Sequence, residues 1–331
     1  MTGPLQTNCR CDSHPRRLRF AILALGSLGL LAPQVAQGQP RKRVATPPPV
    51  DKTLTTRDGV ELKTTYYPST AGTEATCVVL LHDYNESRAA LSSVAKALQD
   101  PQRARLPGNE TRAVLTVDLR GHGESKTAYL PGGNVVELDA ARFRSADFQR
   151  MVSQDMEAVR SFLVAENDAK RLNLNKLCLV GSGMGANVAL VWAEQDWRTP
   201  DLPIRKQGRD VKGLVLLSPK WKQDGLPLVS TLKFPPIQRG LPIFLAYGGE
   251  NSTAVADGDN IYKLISKYRP EPSAKQPVDE RSLVHVVVET RLQGTELISR
   301  SSFGLVPRIS KFLESQLDGR TMAWVARMQA P

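Results

Sequence analysis

Cysteine is scarce in this chain, with four among 331 residues. Cys9 and Cys11 lie close to the start, so an exported form would keep only Cys77 and Cys178. That excludes a disulfide framework. Each of the two sits inside an apolar strand candidate, where a buried free thiol is expected, because a bridge between adjacent parallel strands demands uncommon geometry. Histidine is equally scarce, with four residues and none after His285. No metal-ligand spacing and no phosphate loop occurs, so neither a metal nor a cofactor is expected. Nucleic-acid motifs are missing too, and most lysines and arginines are dispersed. The net charge of +11 therefore reads mainly as a solvated basic surface, without a nucleic-acid partner. Internal repeats are absent.

What is present begins with Arg16-Arg17-Leu18-Arg19, an apolar block over residues 20–32, and small or polar residues up to Gly38. That order predicts a secretory signal over 1–38, with Ala36-Gln37-Gly38 as the cleavage site and a secreted or periplasmic destination. The apolar block is short against the roughly 20 residues of a membrane span. A retained N-terminal anchor is the alternative; with the signal removed, no transmembrane segment is expected. Removing residues 1–38, which hold four arginines and one aspartate, leaves a charge of +8. Residues 39–51, with Arg41-Lys42-Arg43 and Pro47-Pro48-Pro49, read as a stiff basic linker.

From residue 52 to 318 the pattern is that of one α/β domain, followed by a tail over 319–331. Residues 54–67, interrupted by Asp58-Gly59, predict an N-terminal β-hairpin. Residues 76–81 form a continuous apolar and β-branched run, as in a strand buried on both faces. Strands at 113–118, 176–180, 211–218, 242–247 and 283–288 then alternate with helices at 87–98, 147–164, 187–195, 255–268 and 306–317. The alternation predicts a mostly parallel central sheet flanked by helices, with its crevice at the carboxyl ends of the strands. Residues 126–146 are a longer insertion, and residues 221–240 leave little room for a lid.

Gly181-Ser182-Gly183-Met184-Gly185 follows an apolar strand and opens a helix. This stretch resembles the G-x-S-x-G nucleophile elbow of the α/β-hydrolase family. Two others strengthen the likeness: His82-Asp83-Tyr84 resembles the oxyanion segment, and residues 118–125 (DLRGHGES) resemble the D-x-R-G-x-G-x-S turn. The resemblance implies a serine, an acid and a histidine in that chain order. The family's nucleophile position holds Gly183, its acid position Asn251 and its base position Glu296. Glu250 is a substitute acid one place early, and Ser182 a displaced nucleophile with His82 or His122 as base. His285 lies early in its strand, remote from the crevice, and reads as a core or edge histidine.

The backbone of the site survives these substitutions. N–H groups of Asp83 or Tyr84 and of Met184 are expected to line an anion-binding hole, with Lys220 and Trp221 on the same rim. The resulting expectation is an exported hydrolase-fold protein that binds or scaffolds and does not hydrolyse, its ligand small and acidic. An active ester or acyl hydrolase using Ser182 is one alternative. A protein that binds an acidic envelope polymer through its basic linker is another.

Overall fold

The computed structural model describes residues 45–200, 202, 206–273 and 275–327. The expected signal over 1–38, the Arg41-Lys42-Arg43 part of the linker and the last residues of the tail lie outside the described residues. β1 (Val50–Thr55) and β2 (Glu61–Tyr67) form the antiparallel hairpin expected around Asp58-Gly59. Gly59 has φ +84°, and a Cβ there would stand 2.0 Å from the Tyr129 carbonyl oxygen, so the turn needs glycine. The fold starts earlier than residue 52. β1 begins at Val50, and the Pro47 carbonyl accepts a hydrogen bond from Gln99 Nε2 at 3.0 Å.

The chain continues through β3 (Thr76–Leu81), α1 (Ser92–Gln99), β4 (Ala113–Val117) and a small hairpin, β5 (Thr127–Tyr129) and β6 (Val135–Glu137), which fills the insertion. The helix predicted at 147–164 is one run of α2 (Ser145–Arg150), a π turn over Met151–Asp155, and α3 (Met156–Asp168). Next come β7 (Asn173–Ser182), α4 (Met184–Arg198), β8 (Val211–Leu217), the short α5 (Leu228–Leu232), β9 (Ile243–Gly248) and α6 (Ser252–Ser266). The last elements are β10 (Leu283–Val288), α7 (Gly294–Ser299) and α8 (Leu305–Leu313). Among the described residues the main sheet has the order β1-β2-β4-β3-β7-β8-β9-β10, antiparallel at β1–β2 and β2–β4 and parallel from β4 onward. No described helix is long and apolar enough to cross a membrane.

Strand alternation divides the core between the two faces of the sheet. Cys77, Val79, Leu81, Leu179, Leu214 and Leu245 face α3, α4 and α6, whereas Val78, Leu80, Cys178, Val180, Val215 and Phe244 face α1, α7 and α8. Cys178 is paired in register with Val78, one residue beyond Cys77, so the two thiols project to opposite faces and cannot bridge. Both are free and fully buried, and burial pushes both thiols up, away from reactivity.

The D-x-R-G-x-G-x-S turn serves architecture. Asp118 accepts hydrogen bonds from Arg88 N at 2.5 Å and Glu124 N at 3.0 Å and pairs with the Arg88 guanidinium. A Cβ on Gly123 would enter that carboxylate, at 2.4 Å. Arg120 bridges Asp58 in the first hairpin to Asp155, which the π turn delivers to it. Ser125 Oγ donates to the Asp118 carbonyl and accepts from Lys63 N.

The stretch after residue 318 differs from a free tail. Side-chain amides of Asn167, Asn173 and Asn175 donate to the carbonyls of Val325, Met322 and Ala323, and Trp324 Nε1 donates to the Asn167 carbonyl. Arg327 then pairs with buried Asp210 at 2.7 Å. Asp196 lies beside this cluster, 4% exposed, and burial together with the Asp210 charge raises its carboxyl to about 6. Its folded value thus exceeds the unfolded one, 3.8, so the folded chain binds the extra proton between about pH 4 and 6. Stability gained from this group is present below about pH 4 and falls as pH rises to about 6. Urea titrations of Asp196→Asn should lack that decline and give a chain more stable at pH 7 by on the order of 2 kcal/mol. An unchanged pH profile would show that Asp196 ionises normally.

Candidate active site

β7 delivers the chain to a turn that only glycine accepts easily. Gly183 has φ +47° and ψ −109°, and α4 begins at the next residue. Its two neighbouring glycines are required by proximity. A Cβ on Gly181 would lie 2.4 Å from the Gly185 carbonyl oxygen, and one on Gly185 would lie 2.5 Å from that of His82. The strained strand-to-helix turn of an elbow is therefore fully built, around a residue without a side chain.

The space above Gly183 belongs to Asp83. Its Oδ1 accepts hydrogen bonds from Tyr84 N at 2.7 Å and Met184 N at 2.8 Å, the two N–H groups expected to form the anion hole. A Cβ built on Gly183 would stand 2.1 Å from the Asp83 carboxylate carbon and from both its oxygens. Gly294, at φ +53°, closes the other side; a Cβ there would lie 3.0 Å from Asp83 Oδ2. The hole is thus filled by a carboxylate of the same chain.

A family model described as serine aminopeptidase, S33, matches residues 72–251, more than half of the chain. The chain belongs to the S33 serine aminopeptidase family. Among solved structures, a dienelactone hydrolase from Anabaena variabilis is 18% identical, with a TM-score of 0.53 over 81% of this chain and 99% of that one. An esterase from Pyrococcus furiosus, also 18% identical, has a TM-score of 0.53 over 82% and 93%. A thermostable carboxylesterase cloned from a metagenomic library is 12% identical, with a TM-score of 0.53 over 82% and 91%. At such identities the likeness is one of fold: the α/β-hydrolase sheet with its helices on both faces. No curated protein sequence matches the chain.

Ser182 is 1% exposed, and its Oγ has no hydrogen-bond partner among the described residues. His82 is consumed by structure: Leu119 N–H donates to Nε2 at 3.1 Å, so the proton sits on Nδ1, which donates to the Asp83 carbonyl at 2.6 Å. Burial lowers its pKa and keeps it neutral. His122 donates through Nδ1 to the Arg120 carbonyl at 2.9 Å; burial lowers its pKa as well, and its Nε2 has no partner among the described residues. His285 stacks on Tyr262 and bonds through Nε2 to Tyr247 Oη at 2.7 Å, which donates to Asp259. It sits at the third residue of β10, away from the strand's carboxyl end.

Asn251 caps α6, its Oδ1 accepting from Ala254 N at 3.1 Å, and both it and Glu250 are exposed. Glu296 is exposed as well, because α7 has already begun at Gly294 and turns it outward. The residue of that segment next to the crevice is Gly294, two places earlier than the expected base position. Lys220 is exposed and tied to the first turns of α4 through its N–H to Asn187 Oδ1 at 3.2 Å, while Trp221 packs on the core. The residue missed from sequence is Gln293. Its Oε1 accepts from Ser218 Oγ at 2.7 Å and Gly248 N at 3.1 Å, and its Nε2 donates to the Gly248 carbonyl at 3.0 Å. It knits the ends of β8 and β9 to the loop after β10, and the one signal for it in the sequence is that it precedes a glycine, Gly294.

Proposed function

We propose that this chain is an exported member of the S33 family that does not hydrolyse esters or peptides and serves by binding or as a scaffold. The observation that carries the reading is the Asp83 carboxylate, which takes both N–H groups of the hole and stands where a nucleophile on residue 183 would project. Acyl transfer needs a nucleophile and a base within reach of each other, and an oxyanion hole free to receive developing charge. Here the first position carries no side chain and the hole is taken. Both ring nitrogens of His82 are committed to backbone, so the Ser182 alternative lacks that base.

The partner expected from charge, a small acidic ligand, would compete with Asp83 for the hole. An acidic polymer bound by the basic linker would not, and its binding would fade with moderate salt. Export rests on residues 1–38. The test is labelling by a fluorophosphonate probe of the protein recovered from the periplasmic or extracellular fraction, with its N-terminus near residue 39. No label above the Ser182→Ala level is expected. A label on the parent that vanishes in Ser182→Ala would replace this reading with that of an active serine hydrolase.

A further inference from the structure

We infer that the hole formed by Tyr84 N–H and Met184 N–H is a carboxylate-binding site held shut in cis by Asp83, so that a small monocarboxylate takes it only when the Asp83 side chain is withdrawn. The inference deepens the proposed non-hydrolysing reading and rests on it, since a nucleophile at 183 would need the space that Asp83 fills.

Three observations point the same way. First, the two donors converge on a single oxygen, Oδ1, at 2.7 and 2.8 Å, as charge-assisted bonds to a carboxylate do. They come from segments 100 residues apart, a loop after β3 and the first residue of the 15-residue helix α4, so neither a local turn nor the helix end alone makes the site. Second, the backbone on both sides has been cleared for this carboxylate. Gly183 and Gly294 both have positive φ, and a Cβ at either would meet Asp83, at 2.1 Å and 3.0 Å. Third, the residues beside those two glycines in the chain carry unpartnered hydroxyls. Ser182 and Thr295 are each nearly fully buried with an oxygen lacking a hydrogen bond among the described residues, and a Cβ on Gly294, the residue preceding Thr295, would lie 3.6 Å from Ser182 Cβ. Buried polar groups without partners are rare in folded chains.

Asp83 is therefore an autoinhibitory contact. A ligand with a terminal carboxylate must displace it, and the natural chain answers weakly to such ligands at this site for that reason.

The test is thermal unfolding of the parent, Asp83→Gly and Asp83→Asn in rising acetate, against chloride at matched ionic strength. Asp83→Gly should gain a saturable rise in Tm of about 2–4 °C specific to acetate. The parent and Asp83→Asn, whose amide oxygen can still accept both N–H groups, should respond to acetate no more than to chloride. A folded Asp83→Gly chain indifferent to acetate, or a parent that responds equally, overturns the inference. If Asp83→Gly does not fold, Asp83→Ala empties the hole without adding backbone freedom. In either variant the amide proton resonances of Tyr84 and Met184 should move with acetate, while in the parent they stay fixed; parent resonances that move would also overturn it. Fluorophosphonate labelling of the parent would sink the non-hydrolysing reading, whatever acetate does, so the two failures are separable.

Discussion

Gly183→Ser alone should destabilise the chain by about 3 kcal/mol or more, and adding Asp83→Gly should return a large part of that loss. Two costs meet in the single variant. A residue with a side chain at φ +47°, ψ −109° carries on the order of 1–3 kcal/mol of strain, and its Cβ enters the Asp83 carboxylate at 2.1 Å. Asp83 can avoid the overlap only by leaving the Tyr84 and Met184 N–H groups, and giving up those part-buried bonds costs about 1 kcal/mol or more. Asp83→Gly alone loses those same bonds. In the double variant the strain at 183 remains but the overlap is gone. The serine hydroxyl also enters the space the carboxylate left. The double-mutant cycle, read by urea unfolding, should give a coupling of about 2 kcal/mol or more in the favourable sense. Additive single effects would mean that Asp83 is not what bars a side chain from position 183.

How much of this was legible beforehand depends on the range over which each feature is encoded. The unbroken apolar run at residues 76–81 declared β3 without ambiguity, and glycine spacing at 181, 183 and 185 placed the turn before α4. Both are local patterns with one physical reading. The hole's two N–H donors could be named from the same frame, but its occupant could not. Asp83 follows a histidine at a strand end, and nothing within its neighbourhood says that its carboxylate reaches residue 184. That contact depends on β3 and β7 being sheet neighbours and on Gly183 leaving room. Glu296 shows the reverse error. Counting along a loop assumes that the loop continues, whereas Gly294 has already started a helix and two residues of helical advance swing the side chain to solvent. The π turn in the 145–168 run, which brings Asp155 to Arg120, has no periodic signature at all.

Arg327→Ala should cost about 2–3 kcal/mol, and ending the chain after Arg320 should cost more, although the sequence marks residues 319–331 only as a tail. Arg327 is 4% exposed, and one of its terminal nitrogens donates both to Asp210 at 2.7 Å and to Asn175 Oδ1 at 2.8 Å. Removing one partner of a buried ion pair typically costs about 3–5 kcal/mol. The lower figure applies because Arg160 and Lys206 also contact Asp210, each at 3.1 Å, and keep its charge compensated. Truncation removes more. It takes away the Met322, Ala323 and Val325 carbonyls and so strands the amides of Asn173, Asn175 and Asn167, and it uncovers the surface beneath the Trp324 ring. Asn167 and Asn173 are fully buried beneath the strap, so its loss leaves their amides at the corner where β7 begins with only water to replace these bonds. The strap thus holds the start of the strand whose other end carries the elbow. Urea midpoints should rank parent, Arg327→Lys, Arg327→Ala and the truncated chain in falling order, since lysine keeps the charge but lacks the guanidinium's extra donors. A truncated chain as stable as the parent would show that the strap follows the fold and does not support it.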